Sequence, residues 1–345
     1  MSLARMPAEW EPHARCLMGW PARTDMWGER LAAAERDYAA VANAIADHEP
    51  VLMVARGSDV AAARAACASG VEVIELPLDD SWLRDTGPLF VRDGDAGVVG
   101  VDFQFNAWGE KFQPYDDDAR LAARVLERLG IPRRAVPLVL EGGAITLDGE
   151  GTLITTESVL LNPNRNPGRS REEVEALVGE ALGIERVIWL RDGLVEDRDT
   201  DGHVDNICHF LSPGRVIVQT VTDPDNPNYE RLVANREQLR GATDARGRRL
   251  EVLELPILPY LLDADEPTVA AYLNFYLANG AVIVPVSDER TDAEALELLS
   301  DALPDRQVVP VPGATLAHGG GGVHCITQQQ PVGTGAVAAR AGAAA

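Results

Sequence analysis

Apolar positions in this chain alternate between a helical period and short β-branched runs. Residues 1–28 carry aromatics and prolines without helical period, which predicts an extended segment with a strand near Cys16–Trp20. Leu31, Tyr38, Val41 and Ile45 then recur at helical spacing among alanines and predict a helix over Glu29–Glu49. Val51–Ala55 reads as a strand, Ser58 as the cap of a helix over Asp59–Ser69, and Val71–Leu78 as a further strand.

A polar loop, 79–88, leads to strands at Leu89–Arg92 and Val98–Phe105, a helix near Asp117–Leu129 and a strand at Pro137–Leu140. Gly151–Leu161 reads as an extended pair. Ser170–Leu182 reads as a helix, with Ser170 and Glu173 spaced for a capping box. Strands are expected at Val187–Leu190, Val204–Leu211 and Val216–Val221, then a helix at Pro227–Arg240. Strands at Leu250–Leu255, Leu273–Tyr276 and Ala281–Val286, a helix at Asp288–Leu303 and a strand at Gln307–Val311 complete the pattern. The rhythm of two strands, a helix and a strand repeats without a Pro/Gly-rich linker, which predicts one α/β domain over 1–331. Strands repeatedly run into polar loops that carry a carboxylate, so a radial arrangement fits. The Ala/Gly-rich tail, 332–345, is expected to be disordered.

Charge narrows the partners. The formal net charge of the 345 residues is −23, and Lys111 is the only lysine. Such a chain repels nucleic acid and raises the local concentration of small cations. No apolar run reaches membrane-spanning length and the start lacks a secretory signal, so no membrane partner and a cytoplasmic location are expected. Cys16, Cys67, Cys208 and Cys325 are scattered, with neither disulfide nor zinc spacing.

Candidate chemistry centres on His318-Gly319-Gly320-Gly321-Gly322-Val323-His324-Cys325. A glycine run clears side chains from the backbone and frees N–H groups to face developing charge. Cys325 is therefore the candidate nucleophile, whereas Cys16, Cys67 and Cys208 read as core residues. His318 and His324 flank the run and are candidates to line the site; His13, His48 and His209 read as structural. His203 and Asp205 share a face if their segment is extended, an arrangement suited to proton transfer. Asp85 either pairs with Arg84 or serves a site, and Glu141 is either a buried carboxylate held by backbone N–H groups or an orienter of the histidine. Trp82 could wall a pocket, while Trp10, Trp20, Trp27, Trp108 and Trp189 read as packing. A thiol and an imidazole amid carboxylates suit a planar cation, because each carboxylate can accept two hydrogen bonds from a guanidinium. Such a cation lowers the thiol pKa, whereas the carboxylates alone raise it.

The chain resembles the agmatine deiminases of the peptidylarginine-deiminase-like, guanidine-modifying superfamily. The resemblance runs from Met6–His13 to Gln330-Pro331. It is carried by WLRDTGPLF (82–90), FNAWG (105–109), EGGAITLDGEGTLITTESVLLNPNRNP (141–167), GHVDNIC (202–208), YLNFYLANGAVIVPV (272–286) and GGGGVHCITQQQP (319–331). It implies a five-bladed, pseudo-symmetric α/β propeller of ββαβ units. Cys325 would attack the guanidinium carbon, Asp85 and Asp205 would grip the guanidinium nitrogens, and His203 would serve as acid and then base. Glu141 would contact the substrate or orient His203. The implied reaction takes agmatine to N-carbamoylputrescine and ammonia through an amidino-cysteine, in putrescine biosynthesis, with no metal or organic cofactor; a homodimer fits the family. Trp82 and Gly322 are implied to border the substrate.

The chain departs from the family pattern in the loop 194–201, so Asp199 or Glu196 is expected to take the substrate's far amine. It also has Gly322 where asparagine is common. Deimination of another guanidine such as arginine stays open, with Arg198 as the candidate partner for a carboxylate. A thiol peptidase and a non-enzymatic polyamine-binding protein are more distant alternatives.

Overall fold

The structure is a computed structural model and describes residues 4–94, 97–261 and 267–333. β1 (His13–Gly19), β2 (Val51–Ala55) and β3 (Val71–Glu75) lie parallel, with the helix Leu31–Ala46 between the first two. β2 is apolar along its whole length and fully buried, as a central parallel strand must be. β4 (Leu89–Arg92) runs antiparallel to β5 (Val98–Gln104), and β5 runs parallel to β6 (Arg133–Val139) across the helix Leu121–Leu129.

The same plan recurs three times. It joins β7 (Ile145–Leu147), β8 (Thr152–Thr156) and β9 (Arg186–Leu190) around the helix Arg171–Leu182. It joins β10 (Cys208–Ser212), β11 (Arg215–Gln219) and β12 (Glu251–Leu255) around the helix Tyr229–Gly241. It joins β13 (Tyr276–Ala278), β14 (Ala281–Val286) and β15 (Gln307–Pro312) around the helix Asp292–Ala302. Finally β16 (Thr327–Pro331) pairs antiparallel with β1, Met18 opposite Thr327 and Cys16 opposite Gln329. The two ends of the chain thus complete one ββαβ unit, and the described residues form the five-bladed α/β propeller that the resemblance implies.

Several local expectations are corrected. The segment Val204–Leu211 is not one strand: Val204–Asn206 is a 3-10 turn and β10 begins at Cys208. Residues 157–160 form a helical turn, and β8 pairs with Ile145–Leu147 instead of with its own continuation. The strand expected at Leu273–Tyr276 starts only at Tyr276, because Asn274 turns its backbone to bond Ala271. Ser58 does not cap the helix Val60–Ala66; its hydroxyl bonds the side chain of Asp59. Cys67 is half-buried at the end of that helix, not a core residue. The capping box forms as expected, with Ser170 Oγ accepting from Glu173 N and Glu173 Oε2 from Ser170 N. The tail expectation for 334–345 lies outside the described residues. Among the described residues no helix is long and apolar enough to cross a membrane.

Closure between the first and last units is fastened by a buried polar cluster. Glu49 faces His13 Nδ1 at 3.2 Å and accepts from Tyr276 Oη at 2.7 Å and Asn279 N at 2.8 Å. Glu49→Ala leaves these groups without their acceptor, and the expected cost is about 3 kcal/mol. Urea unfolding checks this as a lower midpoint with an unchanged slope.

Candidate active site

Each unit is entered through a short turn immediately before its first strand, and these five turns carry the site. Leu83–Thr86 precedes β4 and carries Asp85; Glu141 opens the turn Gly142–Ala144 before β7. His203 opens the turn Val204–Asn206, which carries Asp205, before β10. Asn274 lies two residues before β13 and Cys325 two before β16. The carboxylates therefore sit where the inner strands begin, which one strand-end pattern in the sequence could not distinguish from where the preceding strands stop.

Cys325 is 6% exposed. Its N–H donates to Asn274 Oδ1 at 3.2 Å, its carbonyl accepts from Arg84 N, and Sγ lies 3.4 Å from Asp205 Oδ2. Burial, then Asp205 and Asp85, push its thiol well above the ordinary range. The glycine run gives room to neighbours on every side. A Cβ on Gly319 would meet Trp27 at 2.3 Å, on Gly321 Trp82 at 2.6 Å, and on Gly322 Asn274 Oδ1 at 2.6 Å. Gly322 thus admits the side chain that holds the Cys325 N–H, and its own N–H faces the thiol.

Three carboxylates converge, each tied from behind. Asp85 Oδ1 accepts from Gly143 N and Oδ2 from Trp108 Nε1, both at 2.9 Å. Trp108 reaches it because Ala107, Trp108 and Glu110 adopt left-handed backbone, φ 53°, 53° and 63°, a strain stored next to the site. Glu141 Oε1 accepts from Arg165 Nε at 2.6 Å, and Arg165 continues to Asp201 and the Thr200 carbonyl. Asp205 Oδ2 bonds His324 Nδ1 at 2.9 Å. The expected local pair of His203 with Asp205 is replaced by this longer-range bond. Burial, Asp205 and Glu141 raise the Asp85 pKa against the pull of His203. Burial also opposes Asp205, but the bond and charge of His324 hold its pKa below the usual value.

His203 is fully buried; its Nδ1 lies 3.8 Å from Asp85 Oδ2 and its Nε2 4.0 Å from Glu141 Oε2. Its backbone N–H is fixed by Asp197 and Thr200. Both ring nitrogens, Glu141 Oε2 and Asp205 Oδ1 have no hydrogen-bond partner among the described residues. A Cβ on Gly143 would meet His203 Nδ1 at 2.6 Å and Asp205 Oδ2 and Asp85 Oδ1 at 3.0 Å, so the glycine lies at their meeting point.

A cavity of about 330 Å³ opens over Cys325, lined by Trp82, Asp85, Trp108, Phe112 and Asp199. A larger one, about 890 Å³, lies along Gly320–Gly322 and includes Glu196, Arg198 and Asp199 but not Cys325. Of the five candidate catalytic residues, Asp85 and Cys325 line the smaller one. Asp199 borders both, whereas Glu196 is engaged by Asn228 and Tyr260. Glu9, His209 and His324 are the one His/carboxylate trio with metal-ligand spacing among the described residues. Both ring nitrogens of His324 bond carboxylates and His209 Nε2 faces the Asp205 carbonyl, so their bonds close on protein groups.

The model of the Porphyromonas-type peptidyl-arginine deiminase family matches residues 5–331. The agmatine deiminase of Stutzerimonas stutzeri (strain A1501) is 44% identical over 350 residues, covering 94% of this chain and 95% of that one. The chain belongs to the agmatine deiminase family. The Pseudomonas aeruginosa (strain LESB58) enzyme is 44% identical over 354 residues, covering 95% of each. Among solved structures, the agmatine deiminase of Enterococcus faecalis superposes with a TM-score of 0.92 at 33% identity, over 95% of this chain and 96% of that one.

Four residues that hold the site, Glu9, Trp108, Arg165 and Asn274, have no sequence signal that singles them out. All four lie in the matched blocks, yet none sits at a spacing that signals chemistry. Trp108 in particular has the sequence surroundings of a packing residue, and only the left-handed turn aims its N–H at Asp85. Gly143→Ala, which puts a methyl group between His203, Asp205 and Asp85, is expected to lower kcat/KM at least about 100-fold. Urea unfolding of this variant should stay cooperative; a variant with near-native kcat/KM would contradict the packing described.

Proposed function

We propose that this protein hydrolyses agmatine to N-carbamoylputrescine and ammonia, ahead of putrescine formation, with residues 1–331 acting as one catalytic domain. The observation that carries the reading is the set of unpartnered polar atoms on His203, Glu141 and Asp205 beside Cys325 Sγ. Buried carboxylate oxygens without a donor, close to a thiol, call for a donor-rich planar cation, and a guanidinium fits. Asp85 and Asp205 grip its nitrogens, and Glu141 accepts from it or orients His203. Trp82 walls the cavity and stacks on Trp27, centroids 6.1 Å apart.

With the guanidinium bound, the Cys325 thiol gives its proton to His203 as Sγ attacks the guanidinium carbon, and the tetrahedral adduct expels ammonia as His203 passes that proton to the leaving nitrogen. An amidino-cysteine remains. His203 then takes a proton from water, which attacks the same carbon, and Sγ leaves as thiolate with the ureido product. The cavity over Cys325 is bordered by Asp199 and not by Arg198, which favours an amine over a carboxylate and hence agmatine over arginine. Burial, then Asp197, raise the Asp199 pKa, and a bound ammonium would reverse that. A cytoplasmic setting goes with the proposal, since reducing surroundings keep the four free thiols reduced.

Incubation with agmatine, arginine and a peptidyl-arginine, with ammonia and ureido product measured, tests the substrate. Agmatine should be turned over fastest and Cys325→Ser should turn over none; preference for another guanidine would overturn the substrate assignment. A second expectation concerns charge. Without substrate the thiol ionises only above its ordinary range, so a neutral alkylator should react with Cys325 slowly until high pH. A cationic amidine electrophile should react faster at pH 7, about tenfold for each pKa unit its charge removes. Rapid neutral alkylation at pH 7 would count against a substrate-assisted thiolate.

A further inference from the structure

Behind the reacting groups lies a buried ionic chain that the reaction as described does not use. Glu9, from the segment before β1, bonds His324 Nε2 with both oxygens, at 2.9 and 3.1 Å. Nδ1 of the same ring bonds Asp205 Oδ2 at 2.9 Å, the oxygen that lies 3.4 Å from Cys325 Sγ. All of these residues are buried. A neutral imidazole donates from one nitrogen only, so two carboxylates on one ring require either an imidazolium or a protonated acid. Arg84 settles this for Glu9, since its Nη1 lies 3.3 Å from Glu9 Oε1 and a carboxylate beside a guanidinium stays ionised; Asp205 is held below its usual range by its bond to the same ring.

We infer that His324 is a permanently charged imidazolium, held by Glu9, that keeps Asp205 ionised and turned towards Cys325, so that His324 and Glu9 are positioning residues for the reaction. The inference rests on the proposed role of Asp205 in gripping the substrate cation. The titratable groups facing the ring are Glu9, Arg84, Asp205, His209 and the adjoining Cys325; Asp205 also faces His203 and Asp85. Burial and Arg84 push the His324 pKa down, but Glu9 and Asp205 outweigh them and raise it. Burial opposes Glu9 too, yet His324 and Arg84 hold its carboxyl well below the usual range. His209, pushed down to about 4 by burial and by His324, is neutral and packs its ring 4.8 Å from that of His324.

Glu9→Gln keeps an oxygen for Nε2 but removes the charge. The His324 pKa then falls, and above it Asp205 loses its cationic partner. The alkaline limb of kcat/KM for agmatine should move to lower pH, with about a tenfold loss at pH 8 for each unit the limb moves below that pH. Glu9→Asp should restore the profile's shape. In the unmutated protein labelled with 15N-histidine, one ring should show two protonated nitrogens through pH 8, and Glu9→Gln should lower its titration point. A Glu9→Gln profile that superimposes on the native one, or only neutral rings at pH 7, would overturn the inference. If native protein fails to turn over agmatine, the functional reading fails, while the 15N spectrum still decides the charge of His324.

Discussion

Asp85 and Asp205 present oxygens to a single backbone position, Gly143, inside the protein. Each lies 3.0 Å from where a Cβ there would stand, so the two oxygens are at most about 6 Å apart. At an effective dielectric of about 20 their mutual repulsion is about 3 kcal/mol, before desolvation is counted. The surrounding residues offset that cost one carboxylate at a time. Trp108 and the Gly143 N–H serve Asp85, Arg165 serves Glu141, and His324 serves Asp205. Glu141 Oε2 and Asp205 Oδ1 are still left without a hydrogen-bond partner among the described residues. The acidic surplus that remains is what a cationic substrate would complete.

The propeller makes this convergence possible. Five turns, one before the first strand of each unit, bring residues far apart in sequence to one axis. Pairing of β1 with β16 adds the decisive join, because it sets Glu9 at one end of the chain against His324 near the other. Arg84 rivets the same place, donating from its backbone to the Cys325 carbonyl and from Nε to that of His324. Cys325, Asp205 and the ring closure therefore share one set of bonds, and a change in any of them reaches the others.

Most elements were legible in the sequence because period and β-branching report burial directly. β2, β4 and β14 begin and end where the pattern says. Errors gather at the site: residues 204–206 and 273–275 read as strand because their apolar residues are buried without extended strand pairing. Cys325, His203, Asp85, Asp205 and Glu141 stood out by residue type and glycine neighbours, and the fold brings all five together. Glu9, Asn274 and Arg165 gave no local signal, since their partners lie 315, 51 and 24 residues away along the chain. Supporting residues of this kind become visible only once the long-range pairing of the units is known.

The proposed reaction turns on covalent catalysis by Cys325 at a guanidinium carbon. Acid quenching during turnover of agmatine, followed by mass spectrometry of the Cys325 peptide, measures it most directly. The account predicts an adduct on Cys325 with the mass of agmatine less ammonia, which decays as ureido product forms. Steady turnover with no adduct on Cys325, or with the adduct on another residue, would contradict it.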